Sequence, residues 1–286
     1  RLEVRDGGRL QVNGPAVMGY GLELSVASGG ELSIGGDTAI YNPGAMRLEG
    51  GTLSIGGAVT SEQDAISVPR LGYGGGHETV LRLTDGDLHG DLFVGDGLYG
   101  SKASLEVMAN DELTIHGVLR VGGKSGGRFT VERDASVVLS RNLSLANQAH
   151  VEVAGRLEGW SAYSRGYGVE TFTVQGGQVG LALDCVLASE DDKYSSEFNV
   201  RSGSEVRVAR QTRSDVANLS SNAIIECSSL YLRRDLRFLL GEQPETGAPV
   251  VSTRSCRVDG RIEIHGDKYI EAGNIGQRWP LVQSLM

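Results

Sequence analysis

The stretch GGELSIGG at residues 29–36 decides the fold, because it recurs as GGRLQVNG at residues 7–14 and as GGTLSIGG at residues 50–57. The three octets start 22 and 21 residues apart. The same period continues downstream as pairs of apolar residues separated by one position, namely Leu81/Leu83, Leu105/Val107, Phe129/Val131, Val151/Val153, Phe172/Val174 and Phe198/Val200. A period of this length that persists along most of a chain indicates stacked structural units.

One unit, residues 24–45 (LSVASGGELSIGGDTAIYNPGA), contains three short alternating segments, each closed by Gly, Asn or Pro-Gly. Alternation at period 2 sends Leu32 and Ile34 to one face and Ser33 to the other. Glycine supplies the positive φ that tight corners need, which accounts for the 42 glycines of the chain. An antiparallel sandwich or barrel would also use frequent turns, but it would not need a three-strand period.

These patterns predict an all-β fold: a single-stranded, right-handed parallel β-helix with about three short strands per coil of 21 to 26 residues. The right hand follows from the general preference of crossover connections. We expect one continuous β-solenoid over residues 1–286, with loops leaving the coil near residues 69–78 and 241–249, where Gly and Pro interrupt the phase. Because the chain begins inside the pattern, we expect a fragment or a processed product.

Charge and hydropathy restrict the partners. The 27 Lys and Arg against 36 Asp and Glu give a formal net charge of −9, which disfavours binding to nucleic acid. No apolar run approaches the roughly 20 residues that span a bilayer, so we expect no membrane insertion of this segment.

The phrases GGELSIGG, GGTLSIGG, GDLFVGDG (90–97) and HGVLRVGG (116–123), with GNIGQRWPLVQSL at residues 273–285, resemble autotransporter-associated β-strand repeats of bacterial surface proteins. They are also similar to repeats of exported proteins of the PEP-CTERM type. The resemblance covers most of residues 1–240 as repeat texture. It implies a right-handed β-helical passenger in the extracellular space or on the bacterial cell surface, with a role in adhesion, scaffolding or matrix formation. Cell-surface or matrix components, including glycans, are the partners it implies.

Parallel β-helices also include polysaccharide hydrolases and lyases, whose hydrolytic members need paired acids. The adjacent acid pairs Asp191–Asp192 and Asp111–Glu112 lie in polar turns, and His265 is followed by Gly266 without the remaining residues of the polygalacturonase pattern. We therefore predict no catalytic residues and no enzymatic activity. A carbohydrate-binding or carbohydrate-active β-helix, such as a tailspike or a polysaccharide lyase, is the alternative.

Metal binding has one weak candidate in the stretch DGDLHGDLFVGDG. It places Asp85, Asp87, Asp91 and Asp96 at glycine corners, as calcium-binding solenoids do. Ordinary Asp-Gly turns explain the same pattern. We predict no metal and no cofactor.

The segment GWSAYSRGYG at residues 159–168 is a candidate contact site. It concentrates Trp160, Tyr163, Arg165 and Tyr167, and flat aromatic faces beside an Arg suit glycan stacking or a protein contact. Packing of these rings over the side of the coil is the competing interpretation.

The three cysteines are Cys185, Cys227 and Cys256, separated by 42 and 29 residues. This spacing is compatible with stacking in successive coils. Either a disulfide bond in an oxidising compartment or a ladder of buried thiols would follow.

The ends of a solenoid expose unpaired strands and need a cap. Leu2 and Val4 enter the strand pattern at once, and Trp279, Leu281, Val282 and Leu285 form an apolar segment at the other end. We expect either that the segment continues into further coils or that these residues contact a second copy head to tail, which would propagate as a filament.

Overall fold

In the computed structural model of the chain, the structure describes residues 1–5, 7–19, 23–27, 29–40, 45–49, 51–61, 70–71, 78–88, 91–95, 102–123, 126–164, 170–187, 195–239, 249–265 and 282–284. All regular secondary structure in these ranges is β-strand. They hold no helix with the length and apolar character needed to cross a membrane.

The strands are short and follow one another through tight corners. In chain order they are β1 (Leu2–Val4), β2 (Arg9–Val12), β3 (Ala16–Met18), β4 (Glu23–Ala27), β5 (Glu31–Ile34), β6 (Thr38–Ile40), β7 (Ala45–Glu49), β8 (Thr52–Ser61), β9 (Arg70–Leu71), β10 (Glu78–Leu88), β11 (Leu92–Val94), β12 (Lys102–Val107), β13 (Glu112–Ile115), β14 (Leu119–Val121), β15 (Gly127–Val131), β16 (Ser136–Leu139), β17 (Leu143–Leu145), β18 (Ala149–Val153), β19 (Arg156–Gly159), β20 (Ala162–Ser164), β21 (Glu170–Val174), β22 (Gln178–Leu181), β23 (Cys185–Val186), β24 (Ser196–Val200), β25 (Glu205–Ser214), β26 (Val216–Ser220), β27 (Ile224–Leu232), β28 (Leu236–Leu239), β29 (Val250–Val258), β30 (Ile262–His265) and β31 (Val282–Ser284).

Every strand pair is parallel, and the pairs align into three faces that run along one axis. Face A contains β1, β4 and β7, then β9, β11, β14, β17, β20, β23 and the second halves of β25, β27 and β29. Face B contains β2, β5, β12, β15, β18, β21, β24, β26, β28, β30 and the first halves of β8 and β10. Face C contains β3, β6, β13, β16, β19, β22, β31, the second halves of β8 and β10, and the first halves of β25, β27 and β29. The predicted β-solenoid is therefore confirmed, whereas its right hand stays a prediction.

The core consists of side-chain ladders, because each coil places an equivalent residue above the last. The octets stack in register, with Leu10 on Leu32 and Leu32 on Leu53. The predicted downstream pairs continue this face B ladder, which reads Leu81, Leu105, Phe129, Val151, Phe172, Phe198, Ala217, Leu236 and Ile262. Outward positions of the same strands are polar, and Arg82 there donates to Glu106 at 2.7 Å. Alternation at period 2 thus separates a narrow apolar interior from a polar surface.

The corners explain where glycine is needed. Gly86 has a φ of +128°, and a Cβ there would lie 2.0 Å from the carbonyl oxygen of Val59 in the coil before it. Any larger residue would have to push the two coils apart.

The loop predicted near residues 69–78 is shorter than expected, because both of its described ends are strands. Arg70 and Leu71 form β9 and pair with Phe93 and Val94 on face A, and Glu78 already begins β10. Two extended residues suffice for such pairing, because the strands of this face are only two or three residues long there; residues 69 and 72–77 lie outside the described ranges. Of the second predicted loop, residues 241–248 also lie outside them, and Pro249 is buried directly before β29.

Candidate functional site

A groove of about 670 Å³ lies on face C and extends to the corner between faces C and A. It crosses five successive strands, from β19 to β29. The residues that line it are Glu158, Gly159, Gly180, Leu181, Ala182, Arg207, Val208, Ala209, Glu226, Cys227, Ser228, Ser252 and Arg254. We call it the face C groove.

The groove exists because several lining positions on neighbouring strands carry small residues. Gly180 stands between Glu158 and Arg207 in the outward ladder of face C. A Cβ at Gly180 would meet only the Cγ of Glu158, at 3.8 Å. The neighbouring corner positions carry Ala182 and Ala209. Large side chains at these three positions would fill this space, and the sequence supplies none of them.

The charges that line the groove are mostly paired. The Nε of Arg207 donates to Glu205 Oε1 at 2.7 Å and lies 3.3 Å from Glu226 Oε2. Arg156 Nε donates to Glu158 Oε1 at 2.9 Å. Arg254 is exposed and, within the described ranges, takes part in no ion pair. Two Arg and two Glu line the groove, so their formal charges cancel.

Trp160 stands at the corner beside the first coil of the groove. It follows the lining residue Gly159, and 58% of its surface is exposed. Its backbone is fixed within the corner, since its carbonyl accepts from Leu183 N at 2.8 Å. A large indole held on rigid backbone and left open to solvent is a candidate contact platform.

Of the rest of the predicted aromatic segment, the structure describes Tyr163. Tyr163 is half-buried on β20 of face A, and Arg165 and Tyr167 lie outside the described residues. In the outward ladder of face A, Tyr163 is followed by Val186 and then by Arg213. Of the four predicted contact residues, Trp160 is the one that directly follows a lining residue, Gly159, but it does not itself line the face C groove.

A second aromatic feature, which the sequence did not indicate, lies on that face A ladder. The guanidinium carbons of Arg213 and Arg257 lie 5.2 and 5.3 Å from the ring centre of Tyr231, one in the coil before and one in the coil after. Tyr231 also donates its hydroxyl to Asp259 Oδ2 at 2.6 Å, and this hydrogen bond raises the pKa of the phenol. Only the register, which brings residues 18 and 26 positions apart into contact, would have indicated this stack.

A buried polar cluster occupies the corner between faces A and B. Asp215 Oδ2 accepts from Ser196 N at 2.9 Å, and Arg233 Nη1 lies 3.6 Å from Asp215 Oδ1. Glu170 is almost completely buried one coil before Ser196. Burial, opposed by a hydrogen bond with Ser164 and assisted by the charge of Asp215, raises the pKa of Glu170 to about 7. This cluster lies at a different corner from the face C groove.

Two of the four weak calcium candidates take part in contacts between neighbouring coils. Asp87 Oδ1 lies 3.0 Å from His116 Nε2, and Asp91 Oδ1 accepts from Val118 N at 2.8 Å. Asp85 is described only through its backbone, and Asp96 lies outside the described residues. In the part of the chain that the structure describes, no three His, Cys, Asp or Glu side chains are grouped to hold a metal ion.

Of the two acid pairs that were considered for catalysis, the described pair lies outside the groove. Glu112 begins β13 directly after Asp111, and neither lines the groove, whereas Asp191 and Asp192 lie outside the described ranges. His265 Nε2 is 3.1 Å from Glu263 Oε2 on face B.

The cysteines do not form one ladder, so the predicted stack of three was wrong. Cys227 pairs with Val208 and Thr253 on face C, whereas Cys185 and Cys256 share a face A ladder with Thr212 and Leu230 between them. All three thiols are free. Successive coils differ in length here, with 27 residues from Cys185 to Thr212 but 18 from Thr212 to Leu230, so counting along the sequence could not place Cys227.

The residues exposed at the two ends of the described solenoid differ from the predicted end-contact residues. Leu2 is half-buried and Val4 is buried, so they offer little surface. The exposed large apolar residues of the first and last described coils include Leu10, at 37%, Val17, at 68%, and Ile262, at 61%. Trp279, Leu281 and Leu285 lie outside the described residues, and Val282 is described only by its backbone pairing with Val251.

Comparison of this chain with protein-family models, with curated proteins and with solved structures gave no match in any of the three.

Proposed function

We propose that this chain is a non-catalytic structural or adhesive module of a bacterial cell-surface or secreted protein, and that it associates end to end. The resemblance of its repeats to those of exported bacterial proteins supports the location. The observation that carries the association is the exposure of Leu10 and Ile262, which are the first and the last described members of one core ladder.

In a parallel ladder, residues at equivalent positions of successive coils contact one another in the same way. Within the molecule Leu10 packs on Leu32, and Ile262 packs on Leu236. Ile262 of one copy would pack on Leu10 of the next in the same manner, because the strand spacing of about 4.8 Å and the apolar pattern are the same at both ends. A head-to-tail contact of this kind propagates when the rotation does not close.

The spacing of the acids in the face C groove supports a non-catalytic role. Glu158 and Glu226 are three strands apart, which corresponds to about 14 Å. The carboxyl pairs of glycosidases are separated by roughly 5 to 10 Å. The two groove acids are thus too far apart for either a retaining or an inverting glycosidase mechanism.

The test is the concentration dependence of the molecular mass. Sedimentation velocity and negative-stain imaging of the unmodified chain should show linear oligomers that grow with concentration. Ile262→Arg places a charge in the end contact and should give monomers, whereas Val138→Arg, on the side of the coil, should associate like the unmodified chain. A concentration-independent monomer, or equal association of both variants, would contradict end-to-end contact.

A further inference from the structure

We infer that the face C groove binds an extended, uncharged glycan chain that lies along the axis of the solenoid. This inference does not depend on the proposed end-to-end association. It rests on the length, the floor, the polar groups and the neighbouring indole of the groove, each of which restricts the ligand.

The length of the groove matches a polymer. Its lining spans the strands β19, β22, β25, β27 and β29, and four strand spacings amount to about 19 Å. Similar backbone and side-chain positions repeat at every coil, so the surface presents equivalent positions at a regular rise. An extended polysaccharide also repeats at a regular rise, close to that of one coil, and about four sugar units would span the groove.

The floor lets a ligand approach the backbone closely. Gly159 and Gly180 contribute no side chain, and Ala182 and Ala209 contribute one carbon each. A ring that lies flat against such a floor contacts several coils at once. The opening along one side of the coil leaves both ends of a chain free to continue beyond the site.

The polar groups favour hydroxyl-rich and uncharged chemistry. Arg207 and Glu226 form a pair that presents donors and acceptors side by side, and Ser228 and Ser252 add hydroxyl groups. Guanidinium and carboxylate groups can each engage two neighbouring hydroxyls of a sugar. Because the lining holds two Arg and two Glu and the whole chain carries a net charge of −9, the groove provides no net attraction for a polyanion.

Trp160, which directly follows the lining residue Gly159 without lining the groove itself, adds an exposed stacking surface beside the first coil. With 58% of its surface exposed, the indole has apolar area to lose from water on binding. The apolar face of a pyranose ring fits a flat aromatic surface. Arg254 marks the opposite end, four strands away, as an exposed cation that can donate to ring hydroxyls.

The experiment is isothermal titration of the full chain with neutral hexasaccharides of the cello, xylo and manno series, and with oligogalacturonate and heparin hexasaccharides as anionic probes. We expect at least one neutral hexasaccharide to bind, and the anionic probes to bind at least tenfold more weakly. Trp160→Ala should weaken binding at least tenfold. Gly180→Leu should abolish it by filling the floor, where the structure leaves space for a side chain.

Two control variants separate this site from the rest of the molecule. Arg257→Gln, on the Tyr231 stack of face A, should bind like the unmodified chain. Ile262→Arg should also bind unchanged, even when it abolishes end-to-end association, so failure of one hypothesis is distinguishable from failure of the other. Circular dichroism of each variant verifies the fold. Absence of binding by every neutral probe, preference for an anionic probe, or unchanged binding by folded Trp160→Ala and Gly180→Leu would each overturn the inference.

Discussion

Phe198 offers the sharpest test of the ladder core. Its ring is fully buried on face B and meets Phe172 of the preceding coil edge to face, with ring centres 5.7 Å apart and planes at 76°. The next coil places only Ala217 below it. Phe198→Ala should lower the free energy of unfolding by about 3 to 5 kcal/mol, the usual cost of a large-to-small change in a core. We expect the upper part of this range, because the lost aromatic pair is worth about 0.5 to 1.5 kcal/mol and Ala217 cannot fill the cavity.

Urea denaturation followed by far-ultraviolet circular dichroism measures this change. The half-exposed Val138→Ala serves as the matched control and should stay within about 0.5 kcal/mol of the unmodified chain. Hydrogen exchange should localise the lost protection to β21, β24 and β26, because each coil contacts only its neighbours. A loss below about 1 kcal/mol with an unchanged denaturant slope would refute the packing argument.

Other predictions concern single buried or strained groups. Because burial raises the folded-state pKa of Glu170 to about 7, the contribution of its protonated form to stability is complete below pH 4.5 and is lost as the pH rises to 7. Above pH 7, Glu170→Gln should therefore be more stable than the unmodified chain by up to about 3 kcal/mol, as measured by urea titration at several pH values. An equal difference at pH 4 would contradict this. A thiol reagent should label Cys256 in the folded chain and leave Cys185 unlabelled until unfolding, because Cys185 is fully buried and burial raises its pKa to about 12; mass spectrometry identifies the labelled site, and rapid labelling of Cys185 would be the adverse result. Gly86→Ala should lower the thermal unfolding midpoint far more than Gly180→Ala, since a Cβ meets backbone at 2.0 Å in the first case and only a side chain at 3.8 Å in the second; equal midpoints would show that the corner can relax.

Much of the fold was predictable from the sequence because the repeat acts through local chemistry. Alternation in GGELSIGG sets which side chains enter the tube, and the 22-residue step from Leu10 to Leu32 sets the register. Both signals are readable without knowing the neighbours of a coil. The same logic failed at Arg70 and Leu71, because a strand of two residues is too short to show alternation.

The candidate groove was not predictable by these means. It depends on what is missing at Gly180 and on which residues of other coils stand beside that gap, and these are separated from it by 20 residues or more. In the sequence, a glycine within a strand indicates only a low strand propensity and does not indicate a groove. Only the register shows that its neighbours in space are Glu158 and Arg207. Trp160 could be singled out as a candidate from the sequence, because an aromatic in a Gly- and Ser-rich segment is a local signal.

The parallel ladders also determine how the molecule responds to force. The hydrogen bonds that join β2 to β5, and each later strand to its successor, point along the axis of the solenoid. A pull on the two ends along this axis loads those bonds one coil at a time and peels the outermost coil first, instead of shearing a whole sheet at once. Each coil, such as the 22 residues from Leu10 to Leu32, then releases about 75 Å of extended chain. A module with this behaviour lengthens in small steps under tension and can rewind each coil on the template of the next.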